Sequence, residues 1–123
     1  MNLFEGFVME GSSPIYLQIT DYLKRLIASG ELADGDMLPS RRELSAYLGV
    51  NPNTVQKAYR LLEEEGLISS RLGAKSYISL TDERAEEIGR RILEGEIRAA
   101  VTSLKRTGLT LDEAVSMVER YWD

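Results

Sequence analysis

Cysteine and histidine are both absent from the 123-residue chain. Without cysteine, the protein can form no disulfide, offer no thiol nucleophile and hold no metal through thiolates. Without histidine, it lacks the commonest general base, the Ser-His and Cys-His catalytic pairs and the usual zinc ligand. These absences argue against most classes of enzyme, and neither a cofactor nor a metal site is predicted.

Long apolar runs and a basic leader sequence are missing as well. No stretch of 18 or more apolar residues occurs, so the sequence predicts no membrane-spanning helix and no membrane partner. Residues 1–10 contain two glutamates and no basic residue, which is unlike a signal peptide. The hydrophobic fraction of 43% is ordinary for a globular domain with its own core. We therefore expect a cytoplasmic protein.

The net charge of −5 on its own would argue against binding to nucleic acid, but the charge is unevenly distributed. Residues 81–123 contain seven basic and ten acidic side chains. Residues 39–62, in contrast, contain four basic side chains and one acidic side chain: Arg41, Arg42, Lys57, Arg60 and Glu43. Because salt screens charges beyond about 10 Å at 0.1 M, a local basic surface on an acidic protein can still bind phosphates.

A helix-turn-helix motif is predicted within residues 40–66. Ser40 and Glu43 have the spacing of a capping box, and Gly49 ends the helix that they begin after about eight residues. Asn51 and Pro52 supply a cap and a first-turn proline for the second helix. A short helix, a joint of about three residues with a glycine, and a second helix are together typical of this motif.

Other elements are predicted on both sides of the motif. Residues 1–12 are expected to be an extended lead-in, with Phe4, Phe7 and Val8 available to pack on the body. Ser13-Pro14 begins a helix that ends at Gly30. Residues 67–70 and 76–80 have the pattern of two short strands, so the helix-turn-helix is followed by a hairpin with Gly73 at its tip. A long helix from Asp82 to about residue 106 and a last helix after the Thr110 capping box complete the chain.

The predicted fold is therefore mostly α-helical with a small β-hairpin wing. Residues 1–80 form a winged helix-turn-helix domain, and residues 81–123 form a two-helix hairpin that serves for dimerisation. Two helices cannot by themselves enclose a pocket of several hundred cubic ångströms, which favours dimerisation over ligand binding for this tail.

The second helix of the motif has one apolar face and one polar face. At about 100° per residue, Val55, Ala58, Tyr59 and Leu62 lie inward, while Asn53, Gln56, Lys57 and Arg60 lie on the opposite side. Asn and Gln can pair with adenine, and Lys and Arg with guanine or phosphate. The candidate DNA-binding residues, including those of the preceding helix and the wing, are Ser40, Arg41, Arg42, Asn51, Asn53, Thr54, Gln56, Lys57, Arg60, Arg71, Gly73 and Lys75.

Each of these residues also has a purely structural interpretation. The polar face could be an ordinary solvated helix surface, and Arg60 could pair with the neighbouring Glu63-Glu64-Glu65 run. Asn51 is better explained as a helix cap than as a base reader. Arg71 and Lys75 could be ordinary charges of a hairpin.

Apolar stripes along the two tail helices predict a homodimer. The last helix should fold back on the long one after Gly108, and the remaining apolar surface should meet a second subunit across a two-fold axis. The predicted interface comprises Ile88, Ile92, Leu93, Ile97, Val101, Leu104, Leu111, Val115, Val118, Tyr121 and Trp122. Gly95 either permits a close approach of helices or is a tolerated imperfection. A two-fold dimer presents two reading helices to one side of DNA, so its operator should be palindromic.

Several stretches of the sequence resemble the GntR family of bacterial transcription regulators. They are Pro14-Ile15-Tyr16-Leu17-Gln18-Ile19, Leu38-Pro39-Ser40-Arg41-Arg42-Glu43-Leu44, Val50-Asn51-Pro52-Asn53-Thr54-Val55-Gln56-Lys57-Ala58-Tyr59 and Leu62-Glu63-Glu64-Glu65-Gly66-Leu67-Ile68. The Val-Asn-Pro-Asn-Thr-Val segment is similar to the YtrA-type branch, whose members have only a short helical tail. The resemblance implies a regulator of transcription, usually a repressor and often of genes for an ABC-type exporter.

The resemblance also implies roles for individual residues. Arg42 matches an arginine that contacts the DNA backbone, and Gly73 matches the wing-tip glycine. The start of the reading helix, which contacts bases and phosphates, corresponds to Asn53, Thr54, Gln56 and Lys57. Two positions depart from the family pattern: Pro52 stands where larger relatives often have arginine, and Lys75 replaces the second glycine of the wing.

Two functions from different classes fit these observations. The first is a homodimeric repressor that binds specific double-stranded DNA. The second is a winged-helix module that binds another protein without specific DNA binding. The basic outer face at residues 53–60 favours the first, because a scaffold for protein contacts would not need it.

Overall fold

The computed structural model describes residues 3–71 and 75–123, with Arg71 described through its backbone alone. Within these ranges the chain forms five helices and three short strands. They are α1 (Ile15–Ser29), β1 (Met37–Leu38), α2 (Arg41–Leu48), α3 (Pro52–Glu64), β2 (Ile68–Arg71), β3 (Lys75–Ile78), α4 (Asp82–Arg106) and α5 (Leu111–Tyr121). The predicted fold class is confirmed: the protein is mostly helical, with a small antiparallel sheet beside a helix-turn-helix.

Local capping interactions set the bounds of the two helices of the motif. The Oγ of Ser40 accepts a hydrogen bond from the backbone N–H of Glu43 at 3.1 Å, and the Glu43 carboxylate accepts from the N–H of Ser40 at 3.3 Å. Gly49 ends α2 with a φ of 70°, a conformation that favours glycine. Asn51 caps α3 by accepting from the N–H of Asn53 at 2.8 Å. These predictions from the sequence are confirmed.

The helix-turn-helix packs on α1 to form the core of the first compact unit, Met1–Gly89. Helix α3 lies against both α1 and α2. Its inward face is buried as predicted, together with apolar residues from α1, α2 and the sheet: Ile19, Leu23, Leu44, Val55, Ala58, Tyr59, Leu62, Leu67 and Ile78.

Two details of the helices differ from the sequence prediction. Helix α1 begins at Ile15, with Pro14 in the cap position and no capping hydrogen bond from a side chain. In α2, the sequence pattern predicts an inner face of Leu44, Tyr47 and Leu48. In the structure Tyr47 is exposed, and Ser45 is buried in its place. The reason is that Leu44, Ser45 and Leu48 lie within about 100° of one another around the helix, which leaves Tyr47 at the edge of the buried face.

The segment before α1 is partly folded against it rather than simply extended. Residues 3–6 form a turn, in which the N–H of Phe7 donates to the carbonyl of Phe4 at 3.1 Å. The ring of Phe4 is buried and lies 5.0 Å from that of Tyr22, measured between centroids. The Tyr22 hydroxyl donates to the carbonyl of Leu3 at 2.7 Å. This cluster fixes the segment against α1.

The sheet has the strand order β1-β3-β2 and is antiparallel throughout. Strands β2 and β3 are the predicted hairpin, with Ile68 opposite Ile78. Strand β1 precedes the helix-turn-helix and pairs Leu38 with Ser76. The sequence did not predict β1, because two residues are too few to show an alternating pattern.

The first unit extends nine residues beyond the predicted boundary at residue 80, because the first two turns of α4 belong to it. Ile88 is only 5% exposed and forms part of the core of this unit. Gly89 lies beside α1, where a Cβ would be 3.7 Å from the Cβ of Ala28. The sequence predicts that Ile88 contacts a second subunit, whereas the structure buries its side chain within its own chain.

The second compact unit, Arg90–Asp123, contains the rest of α4 and all of α5. A capping box begins α5, in which the Thr110 Oγ accepts from the N–H of Glu113 at 3.2 Å. No residue of α5 is buried. The predicted packing of its apolar stripe on α4 is therefore not observed within one chain, and Trp122 is 80% exposed.

Candidate nucleic-acid interface

The outer face of α3 presents polar and basic side chains to solvent. Asn53, Lys57 and Arg60 are exposed, and Thr54 and Gln56 are half-buried at the edges of the face. Because the opposite face is anchored in the core, the orientation of this polar surface is fixed. Protruding amide and basic groups on an anchored helix are what a reading helix needs in the major groove.

Asn51 acts as a cap, as the sequence suggested. Its side-chain oxygen accepts from the N–H of Asn53 at 2.8 Å, so this oxygen is engaged within the protein. The Asn51 amide nitrogen is left as the group that can donate to DNA. Ser40 has the same dual character, because its oxygen accepts from Glu43 while its hydroxyl proton remains a donor.

Lys57 is held by an aromatic ring from α1. Its ammonium nitrogen lies 4.1 Å from the centroid of the Tyr16 ring, which is within the range of a cation–π interaction. Tyr16 is half-buried in the first turn of α1. Sequence reasoning missed this contact, since no periodic pattern connects residues that are 41 positions apart and lie on different helices.

Arg41 and Arg42, although adjacent, have different environments. Arg42 is exposed, as expected of a residue that contacts the DNA backbone. Arg41 is half-buried, and its guanidinium carbon lies 5.9 Å from the centroid of the Tyr59 ring. The Nε of Arg41 is buried and has no hydrogen-bond partner among the described residues. Arg41 is thus partly a packing residue, and Arg42 is the freer cation.

Tyr59 connects the reading helix to the start of α2. Its hydroxyl donates to the carbonyl of Pro39 at 2.7 Å, directly before the Ser40 cap. Burial raises the pKa of this hydroxyl far above its ordinary value, and the nearby positive charge of Arg41 offsets only part of the increase. The hydroxyl is therefore a permanent donor at physiological pH, and it fixes the position of α2 relative to α3.

The glutamate run that ends α3 does not neutralise Arg60. Glu65 pairs with Lys24 of α1 at 2.9 Å, and the Glu63 carboxylate accepts from the Ser70 hydroxyl at 3.4 Å. Within the described part of the chain, Arg60 has no carboxylate at ion-pair distance. Its charge therefore remains available on the polar face, and the alternative of pairing along the helix is not observed.

The wing is described only in part. Lys75 is exposed at the start of β3, where it contributes a cation. Gly73, predicted at the tip, lies outside the described residues, and so does the side chain of Arg71. Among residues 3–71 and 75–123, no cluster of carboxylates is placed to hold a metal ion. None of the helices in these ranges combines the length and apolar character needed to cross a lipid bilayer.

Comparison with known proteins identifies the same region. Residues 15–78 match the family model described as bacterial regulatory proteins, gntR family. The chain is 40% identical over 108 residues to the HTH-type transcriptional repressor YtrA of Bacillus subtilis, an alignment that covers 88% of this chain and 77% of that protein.

Solved structures extend the similarity to three dimensions. A GntR family transcriptional regulator from Listeria monocytogenes superposes with a TM-score of 0.83 at 31% identity, covering 91% of this chain and 98% of the other. The DNA-binding domain of AraR, in complex with operator ORX1, superposes with a TM-score of 0.53 at 25% identity and covers 58% of this chain and 93% of that domain. In that structure a domain of the same type is bound to DNA.

Proposed function

Because this chain belongs to the gntR family of bacterial regulatory proteins, it is a transcription regulator and not an enzyme, and we propose that it is a homodimeric repressor of a palindromic DNA operator. The observation that carries the proposal is the outer face of α3. It presents Asn53, Lys57 and Arg60 to solvent on a helix that the core holds in place.

The proposed DNA contacts divide into two kinds. Arg42, Lys57 and Lys75 are exposed cations that suit phosphates, which fix the position of the domain on the duplex. Asn53 and Gln56 carry side-chain amides that pair with the edge of adenine, so they determine sequence preference. Arg60, which has no carboxylate partner in the described ranges, contributes to either kind of contact.

The second unit is the proposed dimerisation element. Along α4, Leu93, Ile97 and Val101 are exposed, and along α5 and its C-cap residue four apolar residues lie within about 60° of one another. These four are Leu111, Val115, Val118 and Trp122. Monomeric proteins rarely leave contiguous apolar surface of this kind in water. Because residues 90–123 contain six basic and six acidic side chains, like-charge repulsion does not oppose pairing with a second copy.

The position of each residue around α4 refines the proposed interface. Leu93, Ile97, Val101 and Leu104 lie within about 80° of one another, whereas Ile92 lies on the other side of the helix, next to the face that carries the buried Ile88. We therefore place Leu93, Ile97, Val101 and Leu104, with the α5 stripe and Tyr121, at the dimer interface, and leave Ile88 and Ile92 outside it.

Repression is the proposed consequence of operator binding. A curated relative is a transcriptional repressor by name, and the family resemblance suggests a transporter-type operon as the target. Binding of the operator by the dimer is the proposed regulatory event.

Selection of binding sites from a randomised duplex library tests the proposal with the full-length protein. The expected product is an inverted repeat whose half-sites lie about one helical turn apart or somewhat more. Recovery of a single half-site would contradict the dimeric arrangement. Failure to enrich any sequence would favour the alternative, a winged-helix module that binds protein only.

A paired substitution tests the dimer interface. Ile97→Glu places a carboxylate in the proposed apolar contact and should yield a monomer by sedimentation, with much weaker operator binding because two linked half-sites bind far better than one. Val8→Glu is the control, because it adds the same charge at an exposed apolar position of the first unit. Equal behaviour of the two variants would contradict this interface.

A further inference from the structure

The contact between Lys57 and Tyr16 joins the reading helix to a residue outside the helix-turn-helix. The ammonium lies 4.1 Å from the ring centroid, and within the described part of the chain no carboxylate lies at ion-pair distance from it. The only favourable electrostatic partner of Lys57 in these ranges is therefore the face of a neutral aromatic ring.

This geometry leaves the charge of Lys57 available for DNA. An ammonium group has three N–H donors, and an aromatic face below it occupies one side only. A carboxylate partner would neutralise the lysine before DNA arrived, whereas the ring attracts the cation without cancelling its charge. Lys57 is exposed, so its outward donors face solvent.

The ring also restricts the lysine side chain. A free lysine samples many rotamers, and this freedom is lost when it contacts a phosphate. If a partner already holds the ammonium in place, part of that loss occurs before binding, and the affinity for DNA rises without an additional DNA contact. Tyr16 suits this role because α1 is itself packed against α3.

We propose that Tyr16 is a positioning residue for DNA binding, which holds the ammonium of Lys57 ready for a phosphate of the duplex. The inference rests on the proposed function, because it assumes that α3 faces DNA. Tyr16 acts through Lys57, so its contribution should vanish when the lysine charge is removed.

A double-mutant cycle in the full-length protein tests this proposal. The probe is a mixed-sequence duplex of about 30 base pairs at low salt, since phosphate contacts do not depend on sequence. Tyr16→Leu should weaken binding about 2- to 5-fold, the range expected for an exposed cation–π contact. Tyr16→Phe, which keeps the ring, should bind like the wild type. In a Lys57→Met background, Tyr16→Leu should have no further effect.

The outcomes separate this inference from the proposed function. If the wild-type protein does not bind the duplex, both fail. If it binds and Tyr16→Leu is neutral, tightens binding, or weakens it equally in the Lys57→Met background, DNA binding stands and the positioning role is overturned. Tightening would mean that the ring competes with phosphate for the ammonium.

A spectroscopic measurement on the wild type keeps the test valid even if Tyr16→Leu is poorly folded. The ε-methylene protons of Lys57 should resonate upfield, because they lie over the Tyr16 ring, and Tyr16→Phe should retain this shift. The upfield shift should persist when the duplex is added. Its loss on binding would show that the pair separates, which contradicts the proposal.

Discussion

The hydroxyl of Tyr59 is buried and donates to the carbonyl of Pro39 at 2.7 Å. Tyr59→Phe leaves that carbonyl without its donor, so we expect the free energy of unfolding to fall by about 1–2 kcal/mol near neutral pH. Urea denaturation measures the loss. Tyr47→Phe is the control, because the Tyr47 side chain is exposed and the loss of its hydroxyl should change stability little.

The effect of Tyr59→Phe on the free energy of unfolding should depend on pH. Burial raises the pKa of Tyr59 in the folded state above its ordinary value of about 10, so the unfolded chain releases this proton first as pH rises. The contribution of the Tyr59 hydroxyl to the free energy of unfolding is fully present below about pH 10 and decreases progressively above it. The difference between wild type and Tyr59→Phe should therefore shrink above about pH 10. A constant difference up to pH 11 would contradict this linkage.

Ser76 differs from Tyr59 because its buried hydroxyl has no hydrogen-bond partner within the described ranges, so removing it should stabilise the protein. It is 1% exposed at the centre of β3, and its hydroxyl has no hydrogen-bond partner among the described residues. An unsatisfied buried hydroxyl is costly, so Ser76→Ala should raise the free energy of unfolding by about 1 kcal/mol. Thermal denaturation measures the gain, with Ser69→Ala as the control for strand propensity at an exposed site. A loss of stability would mean that the hydroxyl is bonded in solution.

Individual contacts were predictable where they are local in the chain. The two capping boxes and the Asn51 cap follow from spacings of two or three residues, and all are present. The contacts of Tyr16 with Lys57 and of Lys24 with Glu65 join different helices and depend on how these helices pack. A single sequence carries no periodic signal for such pairs.

At the level of elements, Gly95 lies in the interior of α4, and no neighbouring atom within the described ranges requires a glycine there. A Cβ at this position would have no heavy atom within 4 Å. Gly95→Ala should therefore stabilise α4 by about 1 kcal/mol, measured by circular dichroism on heating. Gly108→Ala should instead destabilise the protein, because Gly108 has a φ of +81°.

The effect of Gly95→Ala on association distinguishes the two faces of α4. Gly95 lies about 160° around the helix from Ile97, so the dimerisation constant should not change. A weaker dimer would place the partner subunit on the Gly95 face, contrary to the interface proposed above.

The elements themselves were largely predictable because glycines, prolines and caps mark their ends. Helix α4 runs from Asp82 to Arg106 as predicted, a length of about 37 Å at about 1.5 Å per residue. What the pattern could not show is that its first turns pack within the first unit, because the burial of Ile88 depends on tertiary contacts. Strand β1 was missed for the same reason, since only pairing with β3 defines it.

For the whole molecule, the dependence of DNA affinity on salt measures the size of the basic surface. With three to five cations per subunit, a dimer neutralises roughly 6–10 phosphates, which gives a slope of log K against log salt of about −5 to −9. Titrations of the selected operator at several salt concentrations measure this slope. The monomeric Ile97→Glu variant should show about half of it. A wild-type slope shallower than about −2 would contradict the proposed binding surface.

The pairing of β1 with β3 has a consequence for the order of assembly. Leu38 lies opposite Ser76, 38 positions later, so the complete helix-turn-helix lies inside the loop that this pairing closes. During synthesis at about 5–20 residues per second, β1 waits roughly 2–8 seconds for its partner strand. Helices α1, α2 and α3 all precede β3 in the chain, so they are synthesised before this strand and can pack together in that interval. The sheet then closes around a domain whose reading helix is already in place.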